Sequence, residues 1–396
     1  MKRWIALVLV VFVAVIGAGS YFAMEACSVV MTCYAGDPDP DPDAQIDACT
    51  RMIESGFMIG ESVAFPLQVW GDAYVRKGLY DLAIADYDEA IRLLPEFPSF
   101  FYGRGDAYLR KDLPDRAIAD FDEAIRLDPE IAGYYHSRGY AHSVMSAYDR
   151  AIADYDEAIR LDPNDAHTFF NRGTAFFTQD LLDRAIADYG EVIRLEPDNH
   201  HAFLGRCAAF MHIDSLDRAI ADCTEAIRLD PKYVHAFQNR CGAHVLKGLK
   251  DRAIADCNEA VRLAPGDPET YFDRGNAYRR LGQLDRAIAD YDNAVRLRPD
   301  HALALGSQAW LLATAKDARL RDGERAVSLA ERALALEDAW GRRSTLAAAL
   351  AEAGRFEDAV REQQAAIEGL REAGGEGLDD LTLRLDLYRA GKPYRE

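Results

Sequence analysis

A phrase close to RAIADYDEAIRLDP returns seven times in this chain at intervals of 34 residues, and its proline keeps the beat: Pro95, Pro129, Pro163, Pro197, Pro231, Pro265 and Pro299. A strict period of this length belongs to stacked supersecondary units, each too small to bury its own apolar face. The period fixes a stack of repeats and turns the functional question from catalysis toward binding.

One repeat, 98–131, reads as two helices. The first carries Phe101, Gly105 and Tyr108 at spacings of four and three, which share a helical face. The second is expected to open at Asp115, an N-cap residue, and shows Ala117, Phe121, Ala124 and Ile125 on one face. It stops at Asp128-Pro129, because proline cannot continue a helix and biases the residue before it toward extended backbone. The short turn Lys111–Pro114 makes the two helices antiparallel. Gly105, Ala117 and Ala124 let the axes approach, and the aromatics fill the gaps between repeats.

These residues resemble the tetratricopeptide repeat. Phe101, Gly105, Tyr108, Ala117, Phe121, Ala124 and Pro129 stand where that family has its large, small and aromatic positions, its second-helix Ala-aromatic-Ala set and its proline. The family's leucine before the glycine is arginine here in most repeats (Arg104, Arg138, Arg172). The resemblance implies an all-α solenoid of stacked antiparallel helix pairs, winding into a right-handed superhelix of about nine units with a C-terminal capping helix. It also implies that the inner face of the first helices lines a concave groove for peptides or protein segments.

The expected division is 1–24 as signal peptide or membrane anchor, 25–43 as an Asp/Pro-rich spacer and 44–63 as a half-repeat cap. Seven full repeats follow over 64–299, then two degenerate repeats and the capping helix over 300–396, with an insertion of about five residues inside 302–336.

Lys2 and Arg3 precede an uncharged run from Trp4 to Met24, which fits a cleaved export signal or a retained tether through 4–24. Cys27 as a lipidated residue is a third variant, poorly supported by Met-Glu-Ala-Cys. Each variant places the repeats outside the cytoplasm: periplasmic, secreted or membrane-anchored. The alternating Asp37–Asp43 reads as an extended spacer, since a calcium loop would need a turn glycine and a closing glutamate. A net charge of −20 argues against nucleic acid.

The cysteines keep register. Cys207 and Cys241 occupy the glycine slot, Cys223 and Cys257 the second-helix aromatic slot, so each antiparallel pair brings its two cysteines together. In an oxidising compartment they are expected to bond as Cys207–Cys223 and Cys241–Cys257, with Cys33–Cys49 as a third bridge.

No phosphate loop, nucleophile motif or paired-histidine metal signature occurs, so we expect no enzyme, no cofactor and no metal. His167, His201 and His235 recur at the period, too far apart for one shared metal. Arg104, Arg138, Arg172, Arg206, Arg240 and Arg274 form a ladder. Each of the first five is expected to pair with an acid of its own repeat, namely Glu123, Glu157, Glu191, Glu225 or Glu259. Arg274 faces Asn293 and is expected to be the free rung. The pairs Arg116–Asp120 and Asp122–Arg126 are expected along the second helix.

The stripe left over on the first helices is the candidate groove: Tyr102, Asp106, Leu109, His136, Tyr140, Phe170, Thr174, Phe177, Leu204, Met211, Gln238, Phe272, Asn276 and Arg279. It is aromatic and apolar in the middle and more polar at the ends. The lysine–arginine–asparagine clamp with which some members of the resembled family hold acidic chaperone termini is missing from Gln68/Asp72, Tyr102/Asp106 and His136/Tyr140. The expected function is a non-enzymatic scaffold that binds a protein or peptide segment outside the cytoplasm; the alternative is a self-associating envelope protein, a homo-oligomer.

Overall fold

The computed structural model describes residues 32–33, 41–54 and 58–396. The readings placed on 4–24, Cys27 and 37–40 lie outside these residues. Among the described residues every regular element is helical. The helices are α1 (Pro42–Glu54), α2 (Ala64–Arg76), α3 (Tyr80–Leu93), α4 (Pro98–Arg110), α5 (Pro114–Leu127), α6 (Ala132–Val144), α7 (Tyr148–Leu161), α8 (Ala166–Thr178) and α9 (Leu182–Leu195) in a first compact body that ends at Glu196. A second body, Pro197–Glu396, holds α10 (His200–His212), α11 (Leu216–Leu229), α12 (Val234–Leu246), α13 (Lys250–Leu263), α14 (Pro268–Arg280), α15 (Leu284–Leu297), α16 (Ala302–Thr314), α17 (Gly323–Leu336), α18 (Trp340–Glu352), α19 (Phe356–Glu372) and α20 (Leu378–Arg389).

From α2 onward the helices pack as consecutive antiparallel pairs, and within each body a first helix also touches the first helix of the next pair. This is an all-α solenoid. Five of its pairs share one complementary contact. A Cβ on Gly105 would come within 2.6 Å of the Phe121 ring, and one on Gly275 within 2.7 Å of Tyr291. The glycine is therefore the dent into which the second-helix aromatic presses.

Apart from α16, whose following Ala315 has φ of −54°, each first helix ends in a tight turn that holds one residue in the left-handed backbone, which glycine adopts without steric cost. Gly78, Gly248, Gly282 and Gly354 fill that place in four pairs, whereas Asp112, Ser146, Asp180 and Asp214 hold φ of 57–60° in four more. In the α4–α5 turn the Leu113 amide donates to the Tyr108 carbonyl at 3.0 Å, closing the orphan end of the helix. The expected cap at Asp115 is not used. The helix opens one residue earlier at Pro114 behind Leu113, without a side-chain cap, because the turn itself sets the entry. The far end behaves as the proline dictates: Asp128 is extended, with φ of −146°.

The degenerate repeat keeps its pair, α16 and α17, with a single turn at Ala318–Leu320 in the inserted stretch. Helix α20 packs on α19 as the last element. At the front, α1 packs on α2, and Cys49 in α1 is bonded to the helical Cys33.

The three expected disulfides are present. Cys207–Cys223 and Cys241–Cys257 have Cα atoms 5.6 and 5.5 Å apart, and all three bridges span 16 positions. In the α10–α11 and α12–α13 pairs the bond stands where α2–α3, α4–α5, α6–α7, α8–α9 and α14–α15 press an aromatic into a glycine.

Candidate functional site

The arginine ladder is structural, but its partners differ from those expected. Arg104 bonds both oxygens of Asp120, and its remaining nitrogen reaches Asp88 of the preceding pair at 2.5 Å. Arg138 does the same with Asp154 and Asp122, and Arg172 with Asp188 and Asp156. In the second body Arg206 and Arg240 clasp Asp222 and Asp256. Arg274 is no free rung, since it clasps Asp290 and reaches Asn258.

The glutamates Glu123, Glu157, Glu191, Glu225 and Glu259 instead pair three residues ahead on their own helix, with Arg126, Arg160, Arg194, Arg228 and Arg262. The expected Arg116–Asp120 and Asp122–Arg126 pairs are absent for the same reason. Asp120 faces the first helix and is taken by Arg104, Asp122 is taken by Arg138, and Arg116 donates to the Tyr108 hydroxyl. Each guanidinium also lies over an aromatic of its own helix, Arg104 over Phe101 at 5.7 Å and Arg274 over Tyr271 at 5.6 Å. That stack explains how arginine replaces an apolar residue there.

The candidate stripe splits into wedge and groove. In the first body Tyr102 lies 5.8 Å from Phe121 and 5.2 Å from Tyr134, and Phe170 lies 5.6 Å from Tyr189. His136 bonds the Thr168 hydroxyl at 2.6 Å, and burial holds its pKa below the usual histidine value. In the second body Phe272 fits between Tyr291 and His301, at 5.9 and 5.1 Å. These rings join one pair to the next. Leu109, Phe177 and Leu204 are half-buried, Asp106 bonds Arg110, and Thr174 donates back to the Phe170 carbonyl. Tyr140 is the most exposed aromatic of the stripe.

Met211, Gln238 and Asn276 come together in the second body. They line a cleft of about 280 Å³ among α10, α12 and α14, with Asn239, Cys241, Gly242, Val245, Leu246, Asp273, Ala277 and Arg280. Met211, Val245 and Leu246 are its apolar side, and a Cβ on Gly242 would meet the Met211 methyl at 3.2 Å. Opposite them, Gln238 donates to Asp273 at 2.7 Å. Burial raises the Asp273 pKa to about 6, against the Gln238 bond that lowers it and with the nearby charges of Glu269 and Asp267. The cleft is smaller than the roughly 300–1,000 Å³ of pockets that enclose a small ligand. Gln238 is held by Asp273 and His235, and Asn276 accepts from the Tyr291 hydroxyl, which leaves each amide a further hydrogen or lone pair for an extended backbone.

Asn239, Asp273, Leu246 and Arg280 were missed in the sequence because they flank the stripe by one position. A wider stripe, counting the neighbours of the Tyr102 and Leu109 slots, contains them. Arg279 points elsewhere, to Glu396 at 3.9 Å.

Models of the tetratricopeptide repeat match residues 69–130, 170–234 and 268–301, and a TPR repeat model matches 145–180. The chain belongs to the tetratricopeptide repeat (TPR) family. Among solved structures, this TPR chain is similar to a tetratricopeptide repeat protein from Parabacteroides merdae, at 14% identity and TM-score 0.51, over 74% of this chain and 98% of that one. It is also similar to the C-terminal part of a TPR repeat-containing protein from Cytophaga hutchinsonii, at 16% identity and TM-score 0.50, over 60% and 97%. These likenesses support the fold. YrrB, described as a TPR protein with an unusual peptide-binding site, aligns at 22% identity and TM-score 0.39 over 48% of this chain and 97% of that one. No curated protein matches the sequence.

Proposed function

We propose that this TPR chain is a protein-interaction scaffold whose second body holds an extended segment of a partner on the inner face of its first helices. TPR proteins bind peptide or protein partners. The observation that carries the reading here is the cleft in which Met211, Val245 and Leu246 meet the amides of Gln238, Asn239 and Asn276. Apolar anchors set beside backbone-reading amides suit a chain segment, and a rigid wall keeps the ordering cost on the partner. Three disulfides point to an oxidising compartment, in keeping with repeats that work outside the cytoplasm.

The test compares capture from envelope extracts by the native chain, by Gly242→Trp, which fills the cleft, and by Val245→Glu, with thermal melts as the folding control. A protein held by the native chain and lost from both variants supports the cleft. A protein held equally by all three places the site elsewhere, and recovery of the bait alone favours self-association.

A further inference from the structure

The inner face of the second body already carries a segment of this chain. Helix α20 ends at Arg389, Gly391 turns the backbone two residues on with φ of 65°, and the Lys392 amide closes the turn by donating to the Leu387 carbonyl at 2.9 Å. The chain then runs back, without regular structure, across α14, α16 and α18. Tyr394 lies 5.9 Å from Trp310, and the Arg384 guanidinium sits over both rings at 4.9 and 4.7 Å. Arg395 pairs with Glu352 at 2.5 Å and donates to the Ala313 carbonyl. Glu396 takes the Trp310 indole hydrogen, lies 3.9 Å from Arg279, and its amide donates to the Thr314 carbonyl at 3.0 Å.

The positions matter as much as the contacts. Within the repeat, Trp310 stands in the slot of Gly242 and Asn276, and Glu352 in that of Leu246 and Arg280. Those four residues line the open cleft. The segment therefore lies on the same helical stripe as the cleft, and helix α14 serves both. Its side chains are read one by one: an aromatic against Trp310 and Arg384, a cation against Glu352, a carboxylate against Arg279 and the Trp310 indole.

We propose that this face binds segments of the order aromatic–basic–acidic, that Tyr394-Arg395-Glu396 is its built-in occupant, and that a partner segment of the same order competes for it. This rests on the binding role given above to the inner face and names the chemistry of what binds. An occupant in cis lowers the apparent affinity for an outside segment by the fraction of time the site is covered.

The experiment is fluorescence anisotropy with a labelled hexapeptide of the sequence of residues 391–396, titrated with the full native chain and with the full chain carrying Tyr394→Ala and Glu396→Gln. The expected result is at least about ten-fold tighter binding to the substituted chain, because the tethered competitor acts at a high effective concentration. Adding Trp310→Ala should remove that gain, and a scrambled hexapeptide should not bind. Equal affinity for native and substituted chains overturns the proposal, as does equal binding of the scrambled peptide. If the double variant does not fold, Glu396→Gln alone decides: a tighter hexapeptide supports the competition and an unchanged one refutes it. Lost hexapeptide competition with retained partner capture at the cleft removes this inference alone. Lost capture with retained competition removes the cleft reading alone.

Discussion

Arg104 clasps Asp120 through two hydrogen bonds, from Nε to Oδ2 at 2.8 Å and from Nη2 to Oδ1 at 2.6 Å, across the two helices of one pair. The carboxylate is only 9% exposed. Removing the arginine leaves a buried anion uncompensated and also strips the guanidinium from the Phe101 ring. Arg104→Ala is expected to destabilise the first body by about 3 kcal/mol, whereas Glu123→Ala, on the exposed side of the same helix, should stay within about 0.5 kcal/mol. Chemical denaturation of the two variants separates them. Equal losses would return the structural role to the glutamate.

The left-handed turn residue gives a gain instead of a loss. Ser146 holds φ of 59° where other pairs have glycine, a conformation that strains any residue with a Cβ. Ser146→Gly is expected to raise stability by roughly 0.5–1 kcal/mol, and Gly248→Ala to lower it by about as much or more. Thermal melts read both. A destabilised Ser146→Gly chain would mean that the serine is held by something other than its backbone.

The disulfides and the glycine–aromatic dents are two solutions to one packing problem, and they should be interchangeable. Opening Cys207–Cys223 is expected to cost about 3 kcal/mol on the chain-entropy estimate for a loop of this size. Cys207→Ser with Cys223→Ser should show that loss in full. Cys207→Gly with Cys223→Tyr should recover a large part of it and make the α10–α11 pair insensitive to reductant. Melts with and without dithiothreitol read the difference.

Asp273 makes a prediction with a sign. Its pKa is raised to about 6 in the fold from an ordinary 3.8, so between those values the folded state holds a proton that the unfolded state has released. Stability from this group is therefore greatest at low pH, falls as pH rises through 3.8 to about 6, and is flat above. Asp273→Asn should be more stable than the native chain at pH 7 by about 1–2 kcal/mol and indistinguishable from it below the unfolded pKa. A constant difference across pH would mean that the Asp273 pKa is the same in the folded and unfolded chain.

How much of this was legible beforehand depended on whether the repeat alone decided it. The helix pairs and the proline stops follow from the period, and the disulfides follow because cysteines sat in two slots that the pairing brings opposite. The ladder's partners did not follow. Asp120 and Glu123 lie about 60° apart around their helix, and only the exact rotation of that helix shows which one faces Arg104. The stripe was read too narrowly for the same reason. Tyr102, Phe170 and Phe272 are turned far enough toward the second helices to serve as wedges, while Asp273 and Arg280, one step aside, reach the cleft. The return of Tyr394-Arg395-Glu396 across Trp310 is a contact between residues more than eighty positions apart outside the repeat, which no periodicity encodes.

The account stands or falls on which face of the second body meets a partner. A photo-crosslinking residue placed at Val245, on the wall of the cleft, and separately at Ala255, exposed on α13, reads this in the living cell. The account predicts a defined adduct from position 245 that is absent from position 255. The same adduct from 255 and none from 245 would contradict it.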